Sequence, residues 1–567
     1  MFFLIESDDI YITKDLLIKR RSVLRQINMK KLLTLAILAT MLSCQKEKIA
    51  VDAIVINGNI YTVNGNFDKA EAFPIKDGKF LEIASSEALQ EKYTADTIID
   101  AKGKTIMPGF IDAHAHFEGL GNNLLSVDLM GSKSLDEVLK RVSDFQDEKQ
   151  LSVIRARGWD QNNFEGKEFP DNTLLNKMFP DTPVALVRVD GHAALFNQAA
   201  LDLGNVTESS KIDGGDFIKK NGKLTGVLVD RAQSLVYNNW PETTRNERVK
   251  ALLAAQEDCF KYGLTTIDDA GVSADGIAIM DSLYKTGDLK IRLYVMASGT
   301  EENIDYYLKN GVVKTEGLHI RSFKISSDGA LGSRGALLRE PYSDAPDVHG
   351  LPVTSLEYLE KAAERIANSE FQLNTHAIGD SANHAVINIY KKALEGKKDR
   401  RWRIEHAQII SPDDFKSFDN IMPSIQPTHA TSDMYWAEER LGVERIKGAY
   451  ANKELLDMYG KVALGTDFPV EKVSPFLTFH SAVARQDLEQ FPKDGFQMEN
   501  ALTREETLRG MTIWAAYSNF EENEKGSIEA GKYADFIILN QDIMDVDIHK
   551  VPETKVEQTY LGGKPQI

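Results

Sequence analysis

The chain has 567 residues, a formal net charge of −18 and a pI near 5.2. That is enough chain for one large domain and a smaller one, and the acidic balance argues against a nucleic-acid surface or anionic lipid headgroups as partners. Two cysteines, Cys44 and Cys259, cannot make a disulfide framework.

Residues 1–28 carry Glu6, Asp8, Asp9 and the basic cluster Lys19-Arg20-Arg21 and read as an upstream over-call, with Met29 as the true start. From there Met29-Lys30-Lys31 is a basic n-region, and Leu32 to Leu42 is an apolar h-region too short to span a bilayer. Met41-Leu42-Ser43-Cys44 closes the segment 29–44 and resembles a bacterial lipoprotein signal, although Met41 stands where Leu is usual. The resemblance implies acylation of Cys44 and a lipid anchor in the cell envelope. Gln45 after the cysteine implies the outer membrane, facing the periplasm. The alternatives are an ordinary secretory peptide or an anchor that stays on.

From Val51 the sequence reads as short strands punctuated by Asn57-Gly58, Asn64-Gly65 and Asp77-Gly78, which are hairpin signals. Ala84 to Ala95 interrupts them as a helix. Gly526 to Asp535, the strand Phe536 to Leu539 and the strand Val556 to Leu561 mirror this pattern at the other end. Residues 51–107 and 520–567 are therefore expected to form one small β-sandwich domain. Between them, over 108–519, strands and amphipathic helices alternate, with candidate strands at Phe110–His116, Leu264–Asp268, Ile291–Met296, Ile320–Ser326, Phe371–His376, Trp402–His406, Met422–Pro427 and Lys461–Thr466. Eight such units predict an α/β fold of the (β/α)8 TIM-like barrel type. The apolar run Thr105 to Ile111 reads as one buried strand leading into the first unit. Roughly 145 residues separate the first two strands, far more than an ordinary βα loop. The insert, about 120–250, is expected to cover the barrel mouth and shape the pocket.

Chemistry in such a barrel sits at the C-terminal strand ends. The first ends in His114-Ala115-His116, whose alternate side chains share a face. Two imidazoles so placed can hold one borderline-soft cation; the alternative is a pair of exposed loop histidines. The fourth strand carries Lys324, the fifth ends at His376, the sixth at His406 and the eighth at Asp467. This order resembles the metal-dependent amidohydrolase superfamily. The phrases Gly329-Ala330-Leu331-Gly332-Ser333-Arg334, Gly465-Thr466-Asp467-Phe468-Pro469 and Gly526 to Asp535 are similar to those of its amidohydrolase-3 group, whose best-known activity is N-substituted formamide deformylation. The resemblance runs from about 51 to 562. It implies that His114, His116 and Asp467 hold one divalent metal, that His376 and His406 hold a second, and that a carboxylated Lys324 bridges them. The alternative for Lys324 is a buried lysine paired with Asp328 or Asp467. Zinc suits the donors, as would iron, manganese or cobalt, and one or two ions fit. A bound metal makes hydroxide available near neutral pH, and Asp467 can move its proton to the leaving amine.

Further candidates surround these. His429, after Gln426-Pro427-Thr428, faces the mouth and can stabilise an oxyanion. Asp433 and Trp436 follow closely enough to line the same pocket. Asp190-Gly191-His192 ends a strand-like run in the insert; His192 either reaches the substrate carbonyl or is a structural loop histidine. Ser333-Arg334 is placed to bind an acidic or carbonyl group, or the arginine clamps its own loop. Trp159, in Arg157-Gly158-Trp159-Asp160, is either an aromatic wall or packing. Glu405 reads as a structural ion-pair residue, Asp112 as support behind the site, and Cys259 as core.

These readings predict a lipid-anchored metallohydrolase that cleaves a carbon–nitrogen bond in a small, non-peptide amide. An ester or cyclic amide hydrolase, or a deaminase, would use the same site. A solute-binding lipoprotein is the non-enzyme alternative, and it gives no reason for the full ligand set. The oligomeric state is left open.

Overall fold

The structure, a computed structural model, describes residues 20–26, 29, 47–188, 191, 193–212, 215–332 and 334–566. The expectations for Cys44 and the apolar run before it, and for Asp190, His192 and Ser333, lie outside these residues. Among the described residues no helix is long and apolar enough to cross a membrane.

Among the described residues eight parallel strands form a nearly closed barrel, in the spatial order Phe110–Ala115, Leu264–Val272, Arg292–Ser298, Leu318–Ser326, Gln372–Ala377, Arg403–His406, Met422–Ile425 and Ala463–Leu464. The chain is an α/β protein with a TIM-like barrel. The strands form because they are apolar runs buried on both faces, as parallel strands under helices must be; six of the seven residues of Arg292–Ser298 are buried. The intervening helices are started by local signals. Thr244 and Glu247 make a capping box before Arg245–Lys261. Ser355 caps Leu356–Ala367, whose Leu359, Ala362, Ala363 and Ile366 are buried at helical spacing.

The strand boundaries shift by a few residues from the sequence reading, and three of the shifts change how the chain runs. The run Thr105 to Ile111 is not one strand. Thr105–Pro108 pairs with Phe536–Leu539 in a separate sheet, and Phe110–Ala115 begins the barrel. Gly109 is the crossing point, where a Cβ would lie 2.3 Å from Thr265 Oγ1, so only glycine lets the chain switch sheets there. The seventh strand stops at Ile425, because Pro427 opens the helix Pro427–Asp433 from its first turn. The eighth strand is regular only over Ala463–Leu464, not Lys461–Thr466.

The N-terminal end forms one small sheet by itself and joins the C-terminal end in a second. One has the order Lys79–Phe80, Phe73–Lys76, Ala53–Ile56, Thr97–Asp100; the other has Lys564–Pro565, Val556–Leu561, Phe536–Leu539, Thr105–Pro108, Asn59–Tyr61, Lys69–Ala70. Val55, Phe73, Phe80, Phe536 and Tyr560 pack together as their core. The long insert forms a sheet of its own, in the order Val127–Asp128, Ile154–Trp159, Val184–Arg188, Ala193–Phe196, Lys223–Asp230, Gly215–Lys220.

A side chain closes the barrel where the ladder ends. Asp112, on the first strand, accepts hydrogen bonds from Thr466 N at 3.0 Å and from Thr466 Oγ1 at 2.7 Å, just past the eighth strand, and from its own neighbour His114 N at 3.2 Å. Backbone bonds Asp467 N to His114 O and His116 N to Phe468 O, both 2.8 Å, extend the join. Gly465 permits this approach, since a Cβ there would lie 2.5 Å from His114 N. Asp112→Ala should therefore destabilise the fold by about 3–5 kcal/mol, because buried donors lose their acceptor. Chemical denaturation of the single variant, of Thr466→Val and of the double variant should show a smaller combined loss than the sum; strict additivity would refute the clamp.

Candidate metal centre

The polar ends of the barrel strands converge. His114 Nε2 lies 3.7 Å and His116 Nε2 3.2 Å from Asp467 Oδ1, and the ligand atoms of the three residues lie within 4.8 Å of one another. A tetrahedral ion with bonds near 2.0–2.1 Å spaces its ligand atoms by about 3.4 Å, so the trio fits one cation. Lys324 Nζ is 3.1 Å from His114 Nε2. The His376 and His406 rings are 4.4 Å apart, and His406 is 4.8 Å from the His114 ring. His429 approaches from the helix Pro427–Asp433, with Nε2 3.7 Å from Asp467 Oδ2. His376 Nε2, His429 Nε2 and Asp467 Oδ1 are buried without a hydrogen bond among the described residues. Such atoms are costly unless a ligand serves them, and this donor set is one a divalent cation would satisfy.

The histidines are aimed by the partners of their other nitrogens. His114 Nδ1 meets Glu405 Oε2 at 2.5 Å, His116 Nδ1 meets Ala270 O at 3.0 Å, and His406 Nδ1 meets Gln426 Oε1 at 2.7 Å. In each case Nε2 is left for the centre. Glu405 also pairs with Arg403 Nε at 2.8 Å, and Arg403 with Asp268 at 2.8 Å, all fully buried. Glu405 is thus the ion-pair residue its sequence context indicated and, beyond that reading, the residue that orients His114. Its place beside a ligand histidine on another strand has no signature in local sequence. His406, Ala407 and Asp467 have φ of 71°, 42° and 62°. Strained non-glycine backbone of this kind gathers where side chains are held for a task.

The protonation states of His114, His376 and His406 suit a cation, while burial of His116 is outweighed by Asp467, which raises it. Burial pulls His114 down to about 4 and His376 to about 3, and holds His406 well below its usual value, with the Lys324 charge acting in the same direction on each. All three are neutral at pH 7, as metal ligands must be. Burial works against ionisation of Asp467, but His116, His114 and His429 outweigh it and its carboxyl stays below the usual range. Burial also opposes ionisation of Glu405, yet Arg403 and His114 hold it at about 2. Burial lowers Lys324 to about 8. The Asp467 charge acts on Lys324 against this lowering, whereas Asp328 accepts Leu337 N and Gly379 N at 2.8 Å and Ile378 N at 3.1 Å.

A cavity of about 410 Å³ opens above these groups and is lined by His116, Lys324, His376, His406, His429 and Asp467 at its inner end, with Asp433 and Trp436 also on its wall. Two sequence candidates are elsewhere. Trp159 is 1 % exposed, donates from Nε1 to Leu186 O at 2.6 Å and packs with Val184 and Leu186 in the core of the insert, so it is packing and not a pocket wall. Arg334 pairs with Asp344 at 2.7 Å and clamps its own loop. None of the described insert residues lines the cavity; Asp190 and His192 lie outside the described residues.

Comparison with known proteins agrees with this geometry. The sequence profile described as the amidohydrolase family matches residues 97–567. Protein LONG AFTER FAR-RED 3 of Arabidopsis thaliana is 33% identical over 541 residues, covering 91% of this chain and 91% of that protein. N-substituted formamide deformylase of Arthrobacter pascens is 26% identical over 547 residues, covering 90% and 97%. The crystal structure of an uncharacterized metal-dependent hydrolase from Pyrococcus furiosus superposes with a TM-score of 0.74 at 28% identity, over 87% of this chain and all of that one.

Because Glu405 fixes the ring of His114, Glu405→Gln should weaken divalent-metal affinity roughly 10–100-fold, measured by competition with a chromogenic chelator. Unchanged affinity in a folded variant would remove Glu405 from this role.

Proposed function

The chain belongs to the amidohydrolase family, and on that premise we propose that it hydrolyses a carbon–nitrogen bond in a small, non-peptide amide. The observation that carries this reading is the trio His114, His116 and Asp467, with ligand atoms within 4.8 Å, at the inner end of a cavity large enough for a small molecule. The relative named a formamide deformylase, similar over nearly the whole chain, supports an amide as the substrate.

A divalent cation on that trio supplies a Lewis acid for the carbonyl and lowers the pKa of water towards neutrality. Zinc fits the nitrogen and oxygen donors, and His376 and His406, with Lys324 as a carbamate between the two sites, would hold a second ion. The chain's own residues supply the rest. Asp467, ionised and anchored through its backbone to His114, accepts a proton from the attacking water and returns it to the leaving nitrogen. His429 Nε2, buried without a hydrogen bond among the described residues, is available to the oxygen that gains charge. The Lys324 amine is suited to carboxylation. Neutral Nζ attacks carbon dioxide, a nitrogen–carbon bond forms, and one proton leaves to solvent. With a pKa near 8, the neutral fraction is about 1 % at pH 6 and about three-quarters at pH 8.5.

We further propose, on the N-terminal pattern ending in Cys44, that the protein is lipid-anchored in the cell envelope.

His114→Ala and Asp467→Asn should abolish turnover of N-formyl and N-acyl amines while far-ultraviolet circular dichroism stays native; wild-type rates in either would sink the assignment. Metal-free protein reloaded with metal and bicarbonate should regain more activity at pH 8.5 than at pH 6, assayed afterwards at one common pH. Lys324→Ala should lose metal content and this pH dependence, and a Lys324→Ala variant with full metal content would rule out the bridge. Cys44→Ala should move the protein from the membrane to the soluble fraction, and an unchanged membrane fraction would reject the anchor.

A further inference from the structure

We propose that the outer wall of the cavity accepts a cation, so that the amide cleaved at the inner end carries a basic group about one helical turn away. This rests on the amide-hydrolase reading above and names the substrate class for it.

The spacing comes from one short helix. His429 and Asp433 are four residues apart on Pro427–Asp433 and both line the cavity. They therefore share a face, with Asp433 about 6 Å farther along the axis. His429 Nε2 reaches Asp467 Oδ2 at 3.7 Å, so the helix runs outward from the metal ligands. Asp433 accepts Tyr450 Oη at 2.8 Å and Gln408 Nε2 at 3.3 Å, both on Oδ2, which leaves Oδ1 without a donor among the described residues. Glu471 lines the same cavity and accepts Ser432 Oγ at 2.6 Å on Oε1. Trp436 adds an aromatic surface.

Arg440 lies over the Trp436 ring, 5.6 Å from its centroid, but does not itself line the cavity. Among the described lining residues the one lysine or arginine is Lys324, at the inner end. Arg334 and Arg440 are both tied to Asp344. Two carboxylates beside an aromatic ring in a partly closed cavity attract an ammonium or guanidinium. A neutral alkyl end gains nothing from them, and an anionic end is repelled.

The test uses the metal-loaded full chain and three formamides of matched length at pH 7.5: N-(4-aminobutyl)formamide, N-pentylformamide and 4-formamidobutanoate. Four methylenes place the ammonium about 6 Å from the amide nitrogen, as the helical turn requires. The cationic amide should exceed the neutral one at least tenfold in kcat/KM, with the anionic one slowest. Asp433→Asn and Glu471→Gln should each shrink the cationic-to-neutral ratio several-fold. Tyr450→Phe, which removes a donor to Asp433 but no charge, should keep the ratio. Equal rates for the cationic and neutral amides, or a ratio lost as fully in Tyr450→Phe as in Asp433→Asn, would overturn the proposal. If none of the three is hydrolysed, the amide reading fails and titration calorimetry with n-butylammonium and 1-butanol still reads the subsite. Tenfold tighter binding of the ammonium, lost in Asp433→Asn, upholds it, and equal binding overturns it.

Discussion

The site depends on how the barrel is closed between its first and last strands. The first strand brings His114 and His116; the chain reaches Asp467 only after the seven other strands have been laid down. A regular ladder could hold the two strands together, but it would keep Asp467 in extended backbone. Instead the eighth strand gives up its pairing after Leu464, and Asp467 turns to a positive φ that aims its carboxylate at the two imidazoles. The Asp112 carboxylate takes over from the missing ladder by accepting both the backbone and the hydroxyl of Thr466. The backbone bond from Asp467 N to His114 O then ties one ligand residue directly to another. The spacing of the trio is thus set by main chain, which has little freedom left to lose when a cation binds.

A second constraint lies beneath the ligands. Barrel interiors of this type are ordinarily packed with branched apolar side chains, yet here the sixth strand points Arg403 and Glu405 inward with no exposure at all. Arg403 is served by Asp268, Glu405, Ser518 and Asn519, and Asn519 in turn donates to Asp268 at 2.6 Å. Buried charge is tolerable only when so fully paired. The network places one firmly ionised carboxylate against His114. With three histidines neutral and Asp467 ionised, the inner end of the cavity presents unprotonated donor atoms to a cation.

The eight barrel strands were legible because each is a short apolar run ending in a polar tip, and the trio because those tips carry histidine and aspartate in a row that barrel topology brings together. What was not legible depends on contacts between distant segments. Nothing local in Thr105 to Ile111 marks Gly109 as a crossing between two sheets; that follows from Thr265, more than 150 residues later. Trp159 and Arg334 read as pocket residues because tryptophan and arginine often serve there, and each turned out to have a complete set of local partners. Glu405 shows the opposite error. Its neighbour His406 drew attention as a ligand, while the contact with His114, 291 residues away, could not be inferred from alternation along one strand.

The two ends of the cavity are encoded differently. The inner end is assembled from the tips of six segments spread from residue 114 to residue 467, and His114, His406 and Asp467 are tied to other segments by hydrogen bonds. The charged and aromatic part of the outer wall, Asp433, Trp436 and Glu471, comes from the stretches that follow the seventh and eighth strands, beside Ala330 to Gly332, Ile378 and Gln408. These stretches are contiguous and carry side chains that the barrel does not need for closure. The insert after the first strand spends its apolar residues on its own sheet and core. Selectivity among substrates is therefore expected to follow the residues after the seventh and eighth strands, where charge can vary without disturbing the bonds that hold His114, His116 and Asp467 together.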